Sequence, residues 1–305
     1  MSASLLLVGR IPVRWHGDDE GETVIRLTTL VASLLFLTAC QSDVRRPIVN
    51  ARSADGLAYD LVGEGPLVVL IHGTNLDRRM WEREVAWLQD HARVLRYDLR
   101  GQGASDFPTE AYSNHADLLE LLNELDESEV ALVGLSAGAQ VALDVALEAP
   151  HRVRRMVLVS PSLFGYTPKE MPSFLADLTA SLQAGDFERA NEVLLASSIM
   201  SVPPEYVDRV RTMVEENDRL WTIPFSLVEQ NSPPAIERLE EIEAPTLVLV
   251  GEDDLEAIRA QSVLLERRLA DARRITITGG GHLLNMTSPN AFREAVSEFL
   301  AFPKE

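Results

Sequence analysis

The chain has little positive charge and almost no cysteine. Among its 305 residues, 28 Lys and Arg oppose 47 Asp and Glu, which gives a formal net charge of −19. This balance argues against nucleic acid as a partner, because phosphate binding needs clustered basic side chains. We interpret the acidity as a solubility feature, with a cationic substrate as the alternative. The one cysteine, Cys40, excludes a disulfide within the chain.

This cysteine follows an apolar run. Residues 24–39 carry one basic side chain, Arg26, and then an apolar stretch of about the length of a signal-peptide core. The run ends in Leu37-Thr38-Ala39-Cys40, which resembles the lipobox of bacterial lipoproteins. The resemblance implies that residues 1–39 are removed, that Cys40 is acylated and that residues 40–47 form a tether. We therefore expect a lipid-anchored protein of the cell envelope, on the periplasmic or extracellular side, that contacts the membrane only through its anchor.

Two other interpretations of residues 24–39 are open. A membrane-spanning helix would be short and interrupted by polar residues, and a buried helix would make the position of Cys40 a coincidence. Residues 1–23 fit no signal peptide, because residues 18–22 form an acidic cluster. We expect translation to start at Val24 from a non-ATG codon, so that the unprocessed precursor lacks residues 1–23.

Downstream of Arg45, apolar runs alternate with helical patterns, which is typical of a mainly parallel α/β sheet. The run at residues 66–72 is continuously apolar, as expected for a strand that is buried on both faces. Repeated leucines predict a helix over residues 112–125. The predicted strands are residues 49–52, 57–62, 66–72, 94–97, 130–133, 153–159, 246–250 and 275–277. The predicted helices are residues 80–89, 112–125, 137–148, 255–269 and 289–300.

One block breaks this alternation. Residues 161–243 have helical patterns interrupted by prolines, and we predict an inserted lid of four to five short helices. The alternative is a separate helical domain, but the strand–helix pattern of residues 48–160 resumes at residues 244–302. Five aromatic side chains of the lid either line an apolar pocket or form the core of the lid itself: Phe164, Tyr166, Phe174, Trp221 and Phe225.

The candidate nucleophile is Ser136. It lies in Gly134-Leu135-Ser136-Ala137-Gly138, between a predicted strand and a predicted helix. In this context a Gly-x-Ser-x-Gly motif forms a sharp turn that exposes the serine hydroxyl above the sheet. Small residues are needed at Gly134 and Gly138, because strand and helix approach each other closely there.

A serine hydroxyl needs a base, and the base needs an acid that orients it. Asp253 and Asp254 follow the predicted strand 246–250, and either could be the acid; the alternative is that both cap the next helix. The candidate base is His282, which follows the last predicted strand and three glycines. The alternative is that His282 is a solvated loop residue without a catalytic role.

An oxyanion hole needs two backbone N–H donors. We expect one from Ala137, the residue after the nucleophile, and one from Thr74, in the loop after the strand 66–71. His72 precedes Gly73 in that loop and is expected to shape the loop rather than to act as a base.

Six segments together resemble the α/β-hydrolase superfamily, within its group of serine hydrolases that have a helical cap. They cover much of residues 48–160 and 244–302: IHGTNLDRRMW (71–81), RVLRYDLRGQGAS (93–105), VALVGLSAGAQVAL (130–143), HRVRRMVLVSP (151–161), PTLVLVGEDD (245–254) and GGGHLLNMTSPNAF (279–292).

The resemblance implies an α/β-hydrolase fold, which is a mostly parallel, doubly wound sheet with an inserted helical lid. It also implies Ser136 as nucleophile, His282 as general base and acid, and no metal or organic cofactor. The family pattern Gly-x-x-Asp favours Asp254 over Asp253, although a proline that often follows is missing. Gln102 stands where the family often has histidine, and we interpret it as structural.

The reaction that the resemblance implies is hydrolysis of a carboxylic ester, lactone or related small acyl compound. C–C bond hydrolysis and acyl transfer use the same triad and stay open. Epoxide hydrolases and haloalkane dehalogenases resemble this chain less, because they carry aspartate where it has Ser136. A ligand-binding protein on the same fold is the alternative of a different class, and it would be expected to have a damaged triad. The sequence predicts no oligomeric state.

Overall fold

A single eight-stranded sheet forms the centre of the computed structural model, which describes residues 48–302. The strand order is β1-β2-β4-β3-β5-β6-β7-β8, and β2 is antiparallel to both of its neighbours while every other pair is parallel. The strands are β1 Ile48–Arg52, β2 Ala58–Val62, β3 Leu67–Ile71, β4 Arg93–Tyr97, β5 Val130–Leu135, β6 Val153–Val159, β7 Thr246–Gly251 and β8 Ala272–Ile277. The mostly parallel α/β sheet predicted from the sequence is confirmed.

Helices cover both faces of this sheet. In β3, Val69 belongs to one apolar cluster and Val68 to another, because successive side chains of a strand point to opposite faces. Helices α2, α3 and α8 pack in the first cluster, and α1 and α10 pack in the second. Outside the lid the helices are α1 Glu82–Leu88, α2 Asn114–Glu124, α3 Ala137–Glu148, α8 Glu256–Arg268, α9 Leu284–Thr287 and α10 Pro289–Leu300.

The segment between β6 and β7 contains only helices and loops in the structure. Strands β6 and β7 pair directly, with Met156 opposite Thr246, so the sheet continues across the long insertion. We call residues 161–243 the lid and the rest of residues 48–302 the core. The lid helices are α4 Phe174–Gln183, α5 Phe187–Ala196, α6 Pro204–Glu216 and α7 Ala235–Arg238, with short 3-10 turns between several of them.

Cys40 and the apolar residues 24–39 lie outside the described residues. Acylation of Cys40, removal of residues 1–39 and the tether therefore stay predictions. Within residues 48–302, no helix is both long enough and apolar enough to cross a membrane.

Candidate active site

Ser136 occupies a strained turn between β5 and α3. Its backbone φ is +55°, in the left-handed region that side-chain-bearing residues rarely adopt. Its N–H donates a 2.9 Å hydrogen bond to the Val159 carbonyl oxygen, so the neighbouring strand β6 holds the turn. The hydroxyl therefore lies at the carboxyl edge of the sheet, where parallel α/β sheets form ligand sites.

Two glycines permit this turn. A Cβ at Gly134 would collide with the carbonyl oxygen of Gly138, and a Cβ at Gly138 would collide with that of Ile71. The close approach of β5, α3 and β3 thus requires glycine at both positions. This is the physical reason for the spacing of the Gly-x-Ser-x-Gly motif.

His282 and Asp254 meet across two loops. The Nδ1 atom of His282 lies 2.9 Å from Oδ1 and 3.1 Å from Oδ2 of Asp254, and both residues are about 95 % buried. A Cβ at Gly251 would collide with the carbonyl oxygen of Gly280, so glycines allow the loops after β7 and β8 to touch. The Asp254 carboxylate accepts the Nδ1 proton, and this places the lone pair on Nε2 of the ring.

Asp253 does not take part in this contact. Its side chain is exposed, and its backbone N–H donates to the Gly280 carbonyl oxygen at 2.9 Å. Helix capping does not explain either carboxylate, because the residue at the start of α8 is Leu255, and no side chain caps that helix. Oδ1 of Asp254 instead accepts the Leu255 N–H at 2.7 Å, which further fixes the carboxylate that faces His282.

Ser136 and His282 line the same cavity of about 240 Å³, which we call the apolar cavity. Within the described residues, no hydrogen bond joins the Ser136 hydroxyl to the His282 ring, a bond that often tightens only when a hydrolase binds its substrate. Core side chains such as Leu135 and lid side chains such as Leu178 and Leu194 form its walls. An apolar cavity of about 150 Å³ holds a benzene molecule, so this one accommodates a ring or a short alkyl chain.

Not all of the five lid aromatics take one of the two predicted roles. Phe174 and Trp221 line the apolar cavity, and Phe164 lines a second cavity described below. Tyr166 packs against the buried core, whereas the Phe225 side chain is 80 % exposed.

The predicted oxyanion donors are free of partners. Among the described residues, neither the Thr74 N–H nor the Ala137 N–H donates a hydrogen bond. Ala137 is the first residue of α3, where a helix leaves its N–H groups unpaired and carries a partial positive charge. Two such donors beside Ser136 suit a developing negative oxygen.

His72 braces the loop that carries Thr74. Its Nδ1 atom lies 2.8 Å from the Gly73 carbonyl oxygen, and its Nε2 atom accepts the Leu99 N–H at 2.9 Å. Burial lowers the pKa of His72, which keeps the ring neutral. It therefore connects the loops after β3 and β4, as expected for a residue that shapes the loop.

Sequence reasoning missed the residues that hold Thr74 in place. Asn75 has a φ of +60°, and its N–H donates to Oε1 of Gln102 at 2.8 Å. Gln102 lies between Gly101 and Gly103, both at positive φ, so the tight turn there presents the Gln102 amide to the oxyanion loop. An asparagine in a loop of this kind signals a left-handed backbone, and that signal could have identified Asn75.

The lid also forms hydrogen bonds with the loop that carries Thr74. Asn217, at the end of α6, is fully buried; its Nδ2 lies 3.4 Å from the Leu76 carbonyl oxygen and 3.3 Å from Oδ2 of Asp77. Its Oδ1 accepts the Gly103 N–H at 2.6 Å. Arg219 adds a hydrogen bond to the Ser105 carbonyl oxygen at 2.7 Å. One lid segment thus binds both loops that position Thr74.

Comparison with known proteins shows the family and the fold of this chain. Residues 68–295 match the Alpha/beta hydrolase family. The structure of a hydrolase from Pseudomonas aeruginosa PA01 is similar, with 32 % identity and a TM-score of 0.67 over 82 % of this chain and 97 % of that chain. The enol-lactonase from Burkholderia xenovorans LB400 has 25 % identity and a TM-score of 0.69, over 80 % of this chain and 96 % of that chain.

A third relative differs in its named activity. It is a Bacillus subtilis (strain 168) protein that is provisionally named a 2-succinyl-6-hydroxy-2,4-cyclohexadiene-1-carboxylate synthase. It is 29 % identical over 271 residues, which cover 83 % of this chain and 98 % of the relative. Relatives of this length are therefore named for more than one kind of chemistry.

Proposed function

Because the chain belongs to the α/β-hydrolase family, we propose that it is a serine hydrolase of carboxylic esters, lactones or related acyl compounds. One observation carries the proposal: the His282–Asp254 hydrogen bond lies at the wall of the cavity that Ser136 also lines. The three side chains come from the ends of β5, β7 and β8, which meet at one edge of the sheet. The enol-lactonase relative supports an acyl substrate.

In the first half-reaction, the Ser136 hydroxyl attacks the carbonyl carbon while Nε2 of His282 takes its proton. Asp254 keeps the other ring nitrogen protonated and stabilises the imidazolium that forms. The N–H groups of Thr74 and Ala137 hold the negative oxygen of the tetrahedral intermediate. When the intermediate collapses, the bond to the alkoxy oxygen breaks, and His282 gives its proton to the leaving alcohol.

The second half-reaction repeats these steps with water. His282 takes a proton from a water molecule, whose oxygen attacks the acyl carbon. The same two N–H groups hold the oxyanion, and the bond to the Ser136 oxygen then breaks. His282 returns the proton to Ser136, and the carboxylic acid leaves. The intact constellation favours an enzyme over a ligand-binding protein.

Hydrolysis of p-nitrophenyl butyrate by the wild type and by Ser136→Ala tests this proposal. We expect kcat/KM to fall at least about a thousandfold in the variant, because the reaction loses its nucleophile. Ser160→Ala is a matched control: Ser160 directly follows β6 at a φ of +44°, and its buried hydroxyl has no partner. Equal turnover by Ser136→Ala and the wild type, with both folded by circular dichroism, would remove Ser136 from the mechanism.

We also propose that the protein acts at the cell envelope, held by a lipid on Cys40. The lipobox-like residues 37–40 support this assignment. Expression of the full chain in a bacterium tests it: we expect the wild type in the membrane fraction and Cys40→Ala in the soluble fraction. A mature protein whose mass shows no lipid on Cys40 would contradict it.

A further inference from the structure

A second cavity borders both proposed oxyanion donors. Its volume is about 250 Å³, and we call it the polar cavity. Thr74 lines both cavities, whereas Ala137 lines the polar one and Ser136 lines the apolar one. A carbonyl group held by Thr74 and Ala137 therefore has one substituent directed to each cavity.

The polar cavity contains a buried carboxylate that forms no ion pair among the described residues, and the side chains of His115 and Arg238 act on it only at longer range. Asp144, on α3, is about 4 % exposed and lines the cavity. Its oxygens accept hydrogen bonds from the Gln140 and Asn231 amides at 2.8 and 3.1 Å, and among the described residues no basic side chain lies within ion-pair distance. Burial raises the pKa of Asp144. A buried carboxylate is normally paired with a cation, since burying a lone charge is costly.

This wall contains other hydrogen-bond acceptors. Oδ1 of Asn114 is buried and has no donor, and Glu229 adds a second carboxylate. His115 is the one basic side chain among the described residues that line the cavity, and its ring contacts the Ser113 hydroxyl. The wall of the polar cavity thus presents hydrogen-bond acceptors and negative charge to a bound ligand.

A surface groove that adjoins the polar cavity is acidic as well. His115 and Glu229 also line this wide groove, whose wall includes Asp106 and Glu120. Among the described lining residues of the groove, Arg100 is the only Lys or Arg, and Asp117 pairs with it at 2.7 Å. A field of this sign attracts cations and repels anions.

The position of His282 assigns the two halves of the ester. The leaving alkoxide must receive its proton from His282, and His282 lines only the apolar cavity of the two. The alcohol part therefore lies on the apolar side, and the acyl part extends into the polar cavity.

The position of Asp144 sets a length for that acyl part. Asp144 follows Ala137 by seven residues on α3, which places it about 10 Å further along the helix axis at about 1.5 Å per residue. Its side chain leans back toward the start of the helix. A cation beside Asp144 must therefore be several bonds from the carbonyl carbon, in an ω-amino rather than an α-amino acyl group.

Resting on the proposed function, we propose that the substrate is an ester whose acyl chain ends in a protonated amine and whose alcohol part is apolar. The ammonium group binds beside Asp144 and Asn114 in the polar cavity. The chemistry at Ser136 is unchanged by this assignment: the acyl–alkoxy bond breaks, and water supplies the new oxygen of the acid.

Three phenyl esters of nearly the same shape test the charge preference. They are the esters of 5-(dimethylamino)pentanoic acid, its neutral isostere 6-methylheptanoic acid, and hexanedioic acid with one free carboxylate. After correction for hydroxide-catalysed rates, we expect kcat/KM for the cation to exceed the neutral ester by about tenfold, as a charged hydrogen bond gives. We expect kcat/KM for the anionic ester to be about tenfold lower than for the neutral ester. Equal rates for the cationic and neutral esters, or a faster anion, would overturn the proposal.

A shorter pair tests the length. Phenyl esters of dimethylglycine and of 3-methylbutanoic acid place the same charge difference next to the carbonyl group. We expect the cationic member of this pair to gain less than twofold after the same correction. A larger rate gain from the positive charge in the short pair would overturn the assignment of the acyl part to the polar cavity. The ester 4-(dimethylamino)butyl benzoate carries the charge on its alcohol part, and a preference for the cation shown only by this ester would overturn the assignment as well.

Asp144→Asn identifies the side chain that is responsible. We expect the ratio of cationic to neutral rates to fall about tenfold in this variant, whereas Glu256→Gln, which changes an exposed carboxylate on α8 that lines neither cavity nor the groove, keeps the wild-type ratio. A wild-type ratio in Asp144→Asn would overturn the role of Asp144. Hydrolysis of the neutral ester separates this proposal from the proposed function. If Ser136→Ala abolishes that hydrolysis, the serine mechanism is supported, whatever the ratio of cationic to neutral rates is. If no ester is cleaved in a Ser136-dependent way, both proposals are wrong.

Discussion

The core and the lid contribute different parts of the active site. The proposed reacting groups all belong to the core, at the ends of parallel strands: Thr74 after β3, Ser136 after β5, Asp254 after β7 and His282 after β8. The lid provides apolar walls such as Phe174 and Leu178, together with the Asn217 contacts to the oxyanion loop. On the proposed function, the chemistry therefore depends on the ends of the strands, and substrate choice depends on the lid.

The largest effect should come from the core. In Asp254→Asn the side chain keeps its shape, but its amide no longer fixes the His282 tautomer that has a free Nε2. We expect kcat to fall roughly a thousand- to ten-thousandfold, as measured by steady-state hydrolysis of p-nitrophenyl butyrate. Asp253→Asn is the matched control and should stay within about twofold of the wild type, because its side chain is exposed. A greater loss of kcat in Asp253→Asn than in Asp254→Asn would mean that the acid has been assigned to the wrong carboxylate.

A smaller effect on kcat should come from a lid residue that contacts the core. Removing the amide in Asn217→Ala frees the loops that carry Thr74 and Gly103. Losing an oxyanion donor outright costs about a hundred- to a thousandfold in kcat, so we expect its displacement to cost roughly tenfold, with little change in KM.

The control for Asn217 is another buried lid asparagine. Asn191 accepts a hydrogen bond from Nε1 of Trp221 at 2.8 Å, entirely within the lid. Asn191→Ala should lower thermal stability, as Asn217→Ala does, but keep kcat. Equal losses of kcat in the two variants would show that the lid acts only through general stability.

The lid wall alone should change selectivity and leave the chemistry intact. Phe174→Ala enlarges the apolar cavity. We expect the ratio of kcat/KM for 2-naphthyl acetate to that for phenyl acetate to rise by about tenfold. Phe225→Ala removes a ring that is 80 % exposed and should leave this ratio unchanged. If both variants behave alike, the lid wall does not select the alcohol part.

The smallest effect on activity concerns a buried carboxylate of the core. Burial raises the pKa of Glu84 to about 7 from an ordinary value of 4.5. Because the folded protein holds this proton more tightly than the unfolded chain, stability falls as the pH rises from about 4.5 to above 7, by up to about 3 kcal/mol. Glu84→Gln should therefore melt higher than the wild type at pH 8 and not at pH 4.5.

The matched control is Glu82→Gln on the same helix. Glu82 forms an exposed ion pair with Arg209 at 2.5 Å, which contributes at most about 1 kcal/mol. Thermal melts at both pH values compare the two variants, and kcat should stay within about twofold in each. A stability gain of Glu84→Gln that is the same at both pH values would show that the charge of Glu84 is not its source.

The core was the more predictable region. The predicted elements 137–148 and 153–159 match α3 and β6 at both ends, because apolar runs and a helical period define them without reference to distant residues. Strand β8 was predicted three residues too short. It is the edge strand of the sheet, and its exposed Arg273 and half-exposed Arg274 hide the apolar pattern.

Contacts between distant segments were less predictable. An amphipathic pattern shows that a lid helix has a buried face, but not what that face contacts. Asn217 meets Leu76, which is 141 positions earlier in the chain. Asp144 did leave a signal, since it is the only charged residue within the apolar residues 141–147. A charge on the buried face of a helix is itself unusual and indicates a partner or a site.

Covalent labelling tests the central claim most directly. Intact mass and peptide mapping after treatment with a fluorophosphonate should show one adduct on Ser136 of the folded wild type. The adduct should be absent in Ser136→Ala and should form much more slowly in His282→Gln, because the base no longer activates the hydroxyl. A folded, ester-cleaving wild type in which Ser136 stays unmodified while another residue takes the label would contradict the account.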